Sequence, residues 1–383
     1  MTKLEKMVQE ICPNGVKTVE LIEVCDITKG IQFNKADMND QGSYPVINGG
    51  IGPSGYIEQY NQDSNKITIS QGGASAGFVN WITTKFWAGA HCYVLIPKDT
   101  VLNRYLYHFV KSKEYKLQEC QYGAGIPALA KSTVEKLYIP VPPLPVQREI
   151  VRILDNFTEL TAELTAELTA RRKQYEYYRD SLLEQTVATN KVLLNSVCDV
   201  YDGTHQTPVY TEAGVPFISV EDIDNIYATK KYISQEAFAK FRIKPQNGDV
   251  FMTRITAGII GKCAVVVKDD DLAYYVSLAL LRPNHTVLNS KYLKHYLESG
   301  VGRSELAKRI LWNATPTKIN KDDIGKIFIL LPPLDVQERI VSILDRFDAL
   351  CNDLTSGLPA EIEARKKQYE YYRDKLLTFQ AVE

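Results

Sequence analysis

At 383 residues, 45% apolar and 24% charged, the chain is too long for one ordinary core and has a globular composition, which suits two domains with connecting elements. No apolar run approaches the roughly 18–20 residues of a membrane span, and the opening MTKLEKMVQEICPNG has no apolar signal core, so neither a span nor secretion is expected. Seven cysteines without a CxxC pair argue against a disulfide framework or zinc site and for a reducing cytoplasm, while a net charge of −1 selects no partner.

From the N-terminus, residues 2–11 predict a short helix. Residues 19–141 are rich in β-branched and aromatic residues broken by Gly, Asn and Pro. Within them YPVINGGIGPSGYI (44–57), KITISQGG (66–73), SAGFVNWI (75–82) and AHCYVLIP (90–97) read as short strands and turns. Residues 101–120 have helical spacing, with Leu102, Tyr105, Leu106 and Phe109 on one face. Pro142-Pro143 then suits an extended approach or a first helical turn. From about residue 145 to about 187 no further Gly or Pro intervenes. Ile150, Ile153, Leu154, Phe157, Leu160, Leu164, Leu168, Tyr175, Tyr178 and Leu182 recur at steps of three, four and seven residues. That predicts an amphipathic helix of about 43 residues, about 64 Å long. The second half repeats the order: VPFISVEDI, DVFMTRI, GKCAVVV and YYVSLALL as strands, SKYLKHYLES as a helix. A second long helix follows over 336–379, which SGLP at 356–359 should kink.

The chain is one plan written twice. PPLPVQREIVRILDNF (142–157) matches PPLDVQERIVSILDRF (332–347) at 11 of 16 positions, an offset of 190. VELIEVCDITKG (19–30) matches VLLNSVCDVYDG (192–203) at an offset of 173, and KQYEYYRD (173–180) recurs letter for letter at 367–374. The ends of each half align and the middles diverge, as expected where a binding surface lies. A period near 190 residues is too long for a solenoid and reads as domain–helix–domain–helix. The expected fold class is therefore α+β: two mostly-β domains (1–141 and 191–331) separated by a pair of long antiparallel helices (142–190 and 332–383) packed as a coiled coil, with an internal pseudo-twofold repeat. The alternative, each helix packing back on its own domain, stays open. By segment, Lys+Arg against Asp+Glu is 14 to 13 over 1–141, 7 to 8 over 142–191, 17 to 15 over 192–331 and 7 to 10 over 332–383. The mild basicity lies on the two domains.

One helix carries a stutter, TELTAELTAELTA (158–170), built on Thr-Ala-Glu-Leu. Four residues advance a helix by 400°, so one more unit nearly preserves the buried stripe and adds about 6 Å. From Phe157 to Lys173 the count is 16, and from Phe347 to Lys367 it is 20, a difference of one such unit. The TAEL repeat, PPL-x-VQ-x-x-IV-x-ILD-x-F and (R/K)KQYEYYRD-x-LL, each after a β-rich domain, resemble the specificity subunit of type I restriction–modification systems, nearest to the subfamily with a TAEL spacer. The resemblance covers essentially the whole chain. It implies a DNA-reading subunit without catalysis. The two domains would be target recognition domains for the halves of a split sequence, with the helices setting the gap. Two modification (methyltransferase) subunits would dock on the helices and restriction (translocase/nuclease) subunits would join. S-adenosylmethionine, ATP and magnesium are expected on those partners and no cofactor on this chain.

The residues agree that catalysis is not expected here. QGGASAG lacks the GK[ST] of a phosphate loop, both Pro-Pro pairs are helix entries, and His91, His108, His205, His285 and His295 have no metal spacing. A fused methyltransferase or nuclease would have to show turnover by the purified chain. Base reading calls for Arg, Lys, Asn, Gln, Ser or Thr on loops, with neighbours gripping phosphate. Three places per half supply them. The first holds Lys29, Gln32, Asn34 and Lys35, against Thr204, His205, Gln206 and Thr207; a Gly-Thr-x-x-Thr-Pro opening is common in the resembled domains. The second holds Ser70, Gln71, Gly72, Gly73 and Ser75, against Thr253, Arg254 and Thr256. The third is 122–127 against 313–318, with Thr317 and Lys318; Lys131 matches Lys321. Each place can instead be only a structural turn. In the octets, Tyr175, Tyr178, Arg179, Tyr369, Tyr372 and Arg373 are candidates for a partner surface, or for burial between the helices. The competing reading is a coiled-coil assembly protein whose β-rich domains bind proteins rather than DNA.

Overall fold

The computed structural model describes residues 2–39, 41–123, 125–185, 190–352 and 356–380. The chain divides into two compact units, Met1–Thr165 with Glu361–Glu383, and Ala166–Ala360. This differs from the four-part division read from sequence: each unit joins a β-rich body to the start of its own helix and the end of the other repeat's helix.

Each body is built on an antiparallel four-stranded sheet. In the first, β1 (Cys25–Lys29), β2 (Lys66–Ser70), β3 (Val79–Ile82) and β4 (Cys92–Pro97) lie in the order β1-β4-β2-β3. In the second, β5 (Cys198–Asp202), β6 (Val250–Thr253), β7 (Cys263–Val265) and β8 (Leu278–Pro283) lie in the order β5-β8-β6-β7. A three-stranded sheet with one antiparallel and one parallel pairing accompanies each. It comprises Tyr44–Ile47, Tyr56–Ile57 and Trp87–Ala88 in the first unit, and Val215–Ile218, Tyr232–Ile233 and Ala273–Tyr274 in the second. The chain enters and leaves each body through a short ladder, Thr18–Glu20 with Tyr138–Pro140 and Asn190–Leu193 with Phe328–Leu331. Identical strand orders confirm the duplication that the sequence showed only at its ends.

Alternation along the strands makes the layers. Ile67, Ile69, Tyr93 and Leu95 face the helices, while Cys92 and Val94 pack with Ile47 and Ala88 of the smaller sheet and with Phe86 beside it. In the second unit Val250, Met252 and Leu281 face the helices, and Phe251 and Leu280 pack under Ile218 and Tyr274. With both faces covered, these strands read as apolar runs rather than alternating ones. Gly30 and Gly203 end the matched strands β1 and β5 where backbone passes close: a Cβ would lie 2.3 Å from the Gly89 carbonyl oxygen or 2.5 Å from the Tyr275 carbonyl carbon.

The helices that matter are α1 (Asn103–Ser112), α2 (Leu144–Glu184), α3 (Ser290–Glu298), α4 (Leu334–Asn352) and α5 (Leu358–Leu376). The helix expected over 101–120 turns at Lys113 and resumes as Glu114–Glu119, which brings Leu117 into the core. The last long helix is broken, α4 ending at Asn352 and α5 starting at Leu358, as SGLP foretold. The expected end of α2 near residue 187 lies outside the described residues; its 41 described residues make about 62 Å.

Both expectations for the helices hold in part. The start of α2 packs on its own body through Val146, Ile150 and Leu154, and Phe157 stacks on Tyr372 of α5 at 5.3 Å. In the second unit Arg172 of α2 reaches the carbonyl of Cys351 and Tyr178 stacks on Phe347 of α4. Contacts advance along α2 as they retreat along α4, so these two segments run antiparallel.

The Val-Gln of the repeated motif anchors each helix start. Fully buried Gln147 accepts from the Leu102 amide at 2.8 Å and donates to the carbonyls of Thr100 and Pro142. Gln337 does the same with Asn289, Val287 and Pro332. Gln147→Leu keeps the volume but leaves the Leu102 amide and the Thr100 and Pro142 carbonyls without this partner, so unfolding of the first unit in urea should cost about 2–4 kcal/mol less, whereas exposed Arg148→Ala stays within about 0.5 kcal/mol.

Candidate nucleic-acid interface

In each unit the three candidate loops, remote in sequence, meet at one end of the four-stranded sheet. In the first, Gly30 after β1 donates to the Cys92 carbonyl, and Gln71 after β2 donates to that of His91. The 122–128 segment is stitched alongside, Gly73 donating to Pro127 and Leu129 to Gln71, both at 2.8 Å. In the second unit Thr204 donates to Tyr274, Arg254 to Ser277, Thr256 to Thr317 and Ile319 to Arg254, all within 3.1 Å. Leu129 on Gln71 and Ile319 on Arg254 are the same bond in the two repeats.

The side chains on this shared frame differ. Lys29, Gln32, Asn34 and Lys35 are exposed, although Asn34 caps a turn by accepting from the Ala36 amide. Gln71, Gly72, Gly73 and Ser75 are half-buried, with Gln71 Oε1 3.2 Å from His91 Nδ1 and Gly73 at φ +84°. His205, Gln206 and Thr207 are exposed, and Thr204, Thr256, Thr317 and Lys318 half-buried.

Three candidates are corrected, because they are not presented at all. Ser70 is buried and donates to the Gly50 carbonyl. Thr253 is buried, donating to Ile259 and accepting from Lys262. Arg254 is 6% exposed; its guanidinium pairs with Asp202 at the end of strand β5, across β8, and donates to the Ile319 carbonyl. A desolvated arginine with a carboxylate alongside stays with it, and here it braces two of the three loops instead of facing outward.

Reading the sequence missed Lys240 and Arg242. They are exposed, have no ion-pair partner among the described residues, and line a cleft of about 750 Å³ with Thr204, Gln206, Thr207 and Lys321. The alternation KFRIK at 240–244 was the available signal. At the matched loop of the first unit Phe33 packs edge-on against Trp87 and the indole donates to Ile31. Tyr122 and Trp312, matched across the repeats, stand 57% and 64% exposed on the third loop.

The octets fall into an inward and an outward part. Tyr175 and Arg179 are buried, and the guanidinium lies over the Tyr175 ring and donates to Asp180, which accepts the Gly300 amide. They are corrected as partner candidates: the body of the second unit covers them. Tyr369 is half-buried on its body under Arg373, and Tyr372 lies on Phe157. Tyr178, stacked on Phe347, keeps 41% exposure. The outward tyrosines are Tyr177, 70% exposed, and its equivalent Tyr371, 62% exposed.

The family model of the type I restriction modification DNA specificity domain matches residues 13–171 and again 189–364. The chain is 32% identical over 397 residues to a Haemophilus influenzae protein assigned as a type I restriction enzyme specificity subunit, covering 99% of this chain and 98% of that protein. It is 30% identical to the type I restriction enzyme EcoR124I/EcoR124II specificity subunit of Escherichia coli, covering 99% and 97%. Among solved structures, the S subunit of a type I restriction–modification system from M. genitalium superposes with a TM-score of 0.63 at 16% identity, covering 95% of this chain and 96% of that one. These matches leave the protein-binding alternative without support. Two family domains, one on each repeat, and full-length relatives at this identity place the chain in the type I restriction–modification DNA specificity family.

Proposed function

We propose that this chain is the non-catalytic DNA-reading and assembly subunit of a type I restriction–modification complex. Each body reads one half of a split duplex target, the long helices set the gap, two methyltransferase subunits dock on the helical segments and restriction subunits join them. S-adenosylmethionine, ATP and magnesium belong to those partners, in a cytoplasmic setting that suits seven unpaired cysteines, six of them buried.

One observation carries the reading: the two bodies share strand order and loop stitching, yet present different side chains at the gathered loops. A common frame with divergent faces fits two readers of unlike half-sites. The test is selection from a random duplex pool by the chain assembled with its methyltransferase subunits, at two salt concentrations. Two unlike short motifs at one fixed gap are expected; a pool with no split motif at either salt overturns the reading.

On the same reading, the unpaired cations of the second body grip phosphate. Lys240→Glu and Arg242→Glu should each weaken binding to all sequences alike and make the slope of log affinity against log salt shallower by about one. A changed base preference instead would make them readers.

A further inference from the structure

Two matched three-residue chains tie the bodies to the helices. In the first unit His108 of α1, fully buried, stands between Asp155 of α2, 2.8 Å from its Nε2, and the hydroxyl of Tyr369 on α5, 3.0 Å from its Nδ1. In the second unit His295 of α3, equally buried, stands between Asp345 of α4 at 3.1 Å and the Tyr175 hydroxyl of α2 at 3.0 Å. A cation one turn earlier on the body's helix completes each: Arg104 on Asp155 at 2.7 Å and Lys291 on Asp345 at 2.5 Å. The offsets between equivalents are 187 for the cation and histidine, 190 for the aspartate and 194 for the tyrosine. Insertions have shifted the register twice within this constellation, and it has survived intact in both copies.

The protons are assigned by the partners. Burial opposes ionisation of Asp345, but hydrogen bonds from His295 and Lys291 outweigh it and hold the carboxyl down at about 2; Asp155 is lowered in the same way by His108 and Arg104. Burial pulls His108 below the ordinary imidazole range against the attraction of Asp155, so its ring carries one proton. Facing an ionised carboxylate, that proton sits on Nε2, and Nδ1 accepts from the tyrosine hydroxyl. In the first unit the chain thus runs in one direction, from hydroxyl to imidazole to carboxylate. Its two ends lie on helical segments of different repeats, with the body's helix held between them.

We propose that Tyr175 and Tyr369 are positioning residues for target spacing: their hydroxyls fix the rotation of each recognition body on its helices and so restrict the complex to one gap between half-sites. This rests on the DNA-reading function proposed above. The tyrosine ring alone would fill the same space, so packing does not require the hydroxyl. A hydrogen bond adds direction, because it weakens steeply when bent. One base pair is a step of about 3.4 Å and a turn of about 35°, so modest rocking of either body brings a neighbouring gap within reach.

The experiment is selection by the full complex from a pool in which the gap length as well as the bases are random, comparing wild type with Tyr175→Phe/Tyr369→Phe. The double variant should enrich the same half-sites while gaps one base pair shorter or longer rise roughly ten-fold relative to the preferred gap, about one lost hydrogen bond per body. A single gap as sharp as wild type overturns the proposal, even when overall binding or the denaturation midpoint falls, since that is what a merely structural bond would do. A wild-type complex that enriches no split motif instead refutes the function on which it rests. Should the double variant not assemble, Tyr369→Phe alone is scored by the same two outcomes, with a smaller spread expected.

Discussion

Deleting residues 161–164 from α2 changes the gap between the half-sites by one or two base pairs and leaves the bases of both half-sites as they were. The reason is the phase of the helix. Four residues carry 400° of turn, so everything beyond the deletion is withdrawn by about 6 Å and rotated by only about 40°. In the structure Leu160, Leu164 and Leu168 are half-buried on one stripe and Glu159, Glu163 and Glu167 are exposed. Thr161 and Thr165 turn their hydroxyls onto the carbonyls of Phe157 and Thr161. Each unit is thus interchangeable with the next. The translation corresponds to just under two base-pair steps and the rotation to about one, which bounds the expected change. Deleting only Ala162 and Glu163 is the informative control. Two residues carry 200°, which throws Leu164 and Leu168 to the far side of the helix, and binding of any split target should be lost. Selection and sequencing of bound duplexes reads all three chains; altered half-site bases after the four-residue deletion would refute the spacer role.

Replacing Tyr177 and Tyr371 by alanine should cost the chain its methyltransferase subunits while leaving its own fold as stable as before. The octets are identical, yet intramolecular packing accounts for only part of them. Tyr175 and Tyr369 hold histidines, Tyr178 and Tyr372 lie on phenylalanines, and the arginines cover the first tyrosines. Among the described residues, the ring contact of Tyr177 and of Tyr371 is edge-on with the next tyrosine, at 5.6 and 5.4 Å. An exposed aromatic retained at two equivalent positions fits two copies of one partner. A tyrosine anchor at an interface centre is worth about 2 kcal/mol, or about 30-fold in affinity at each site. Light scattering of the assembled complex should show Tyr177→Ala or Tyr371→Ala alone taking up one methyltransferase subunit where the wild type takes two, and the double variant none at matched concentration. Unchanged uptake by the double variant would place the docking surface elsewhere.

Much of this is legible in the amino-acid sequence. A four-residue stutter, an eight-letter repeat and an apolar stripe at three- and four-residue steps are local patterns, and helix geometry converts them directly into length and phase. The break at SGLP is local in the same sense: Gly and Pro act within one turn. The buried faces of the strands followed from short apolar runs between turn residues, whereas β1 is absent from the predicted strands and its last residue, Lys29, falls in a predicted loop. Its membership of the sheet comes from pairing with β4, Cys25 opposite Pro97 through Lys29 opposite Tyr93.

What the amino-acid order determined by itself was the duplication, the rods and their phase, because each is a periodicity of neighbouring residues. What tertiary structure alone decided was which of the charged and aromatic side chains face outward. Arg254 looked like a reader until Asp202, on a different strand, took its guanidinium. Tyr369 looked like a partner contact until His108, 261 positions earlier, took its hydroxyl. Burial and hydrogen bonding depend on which groups the fold brings within about 3 Å, and that proximity is not written in the spacing of residues along one chain.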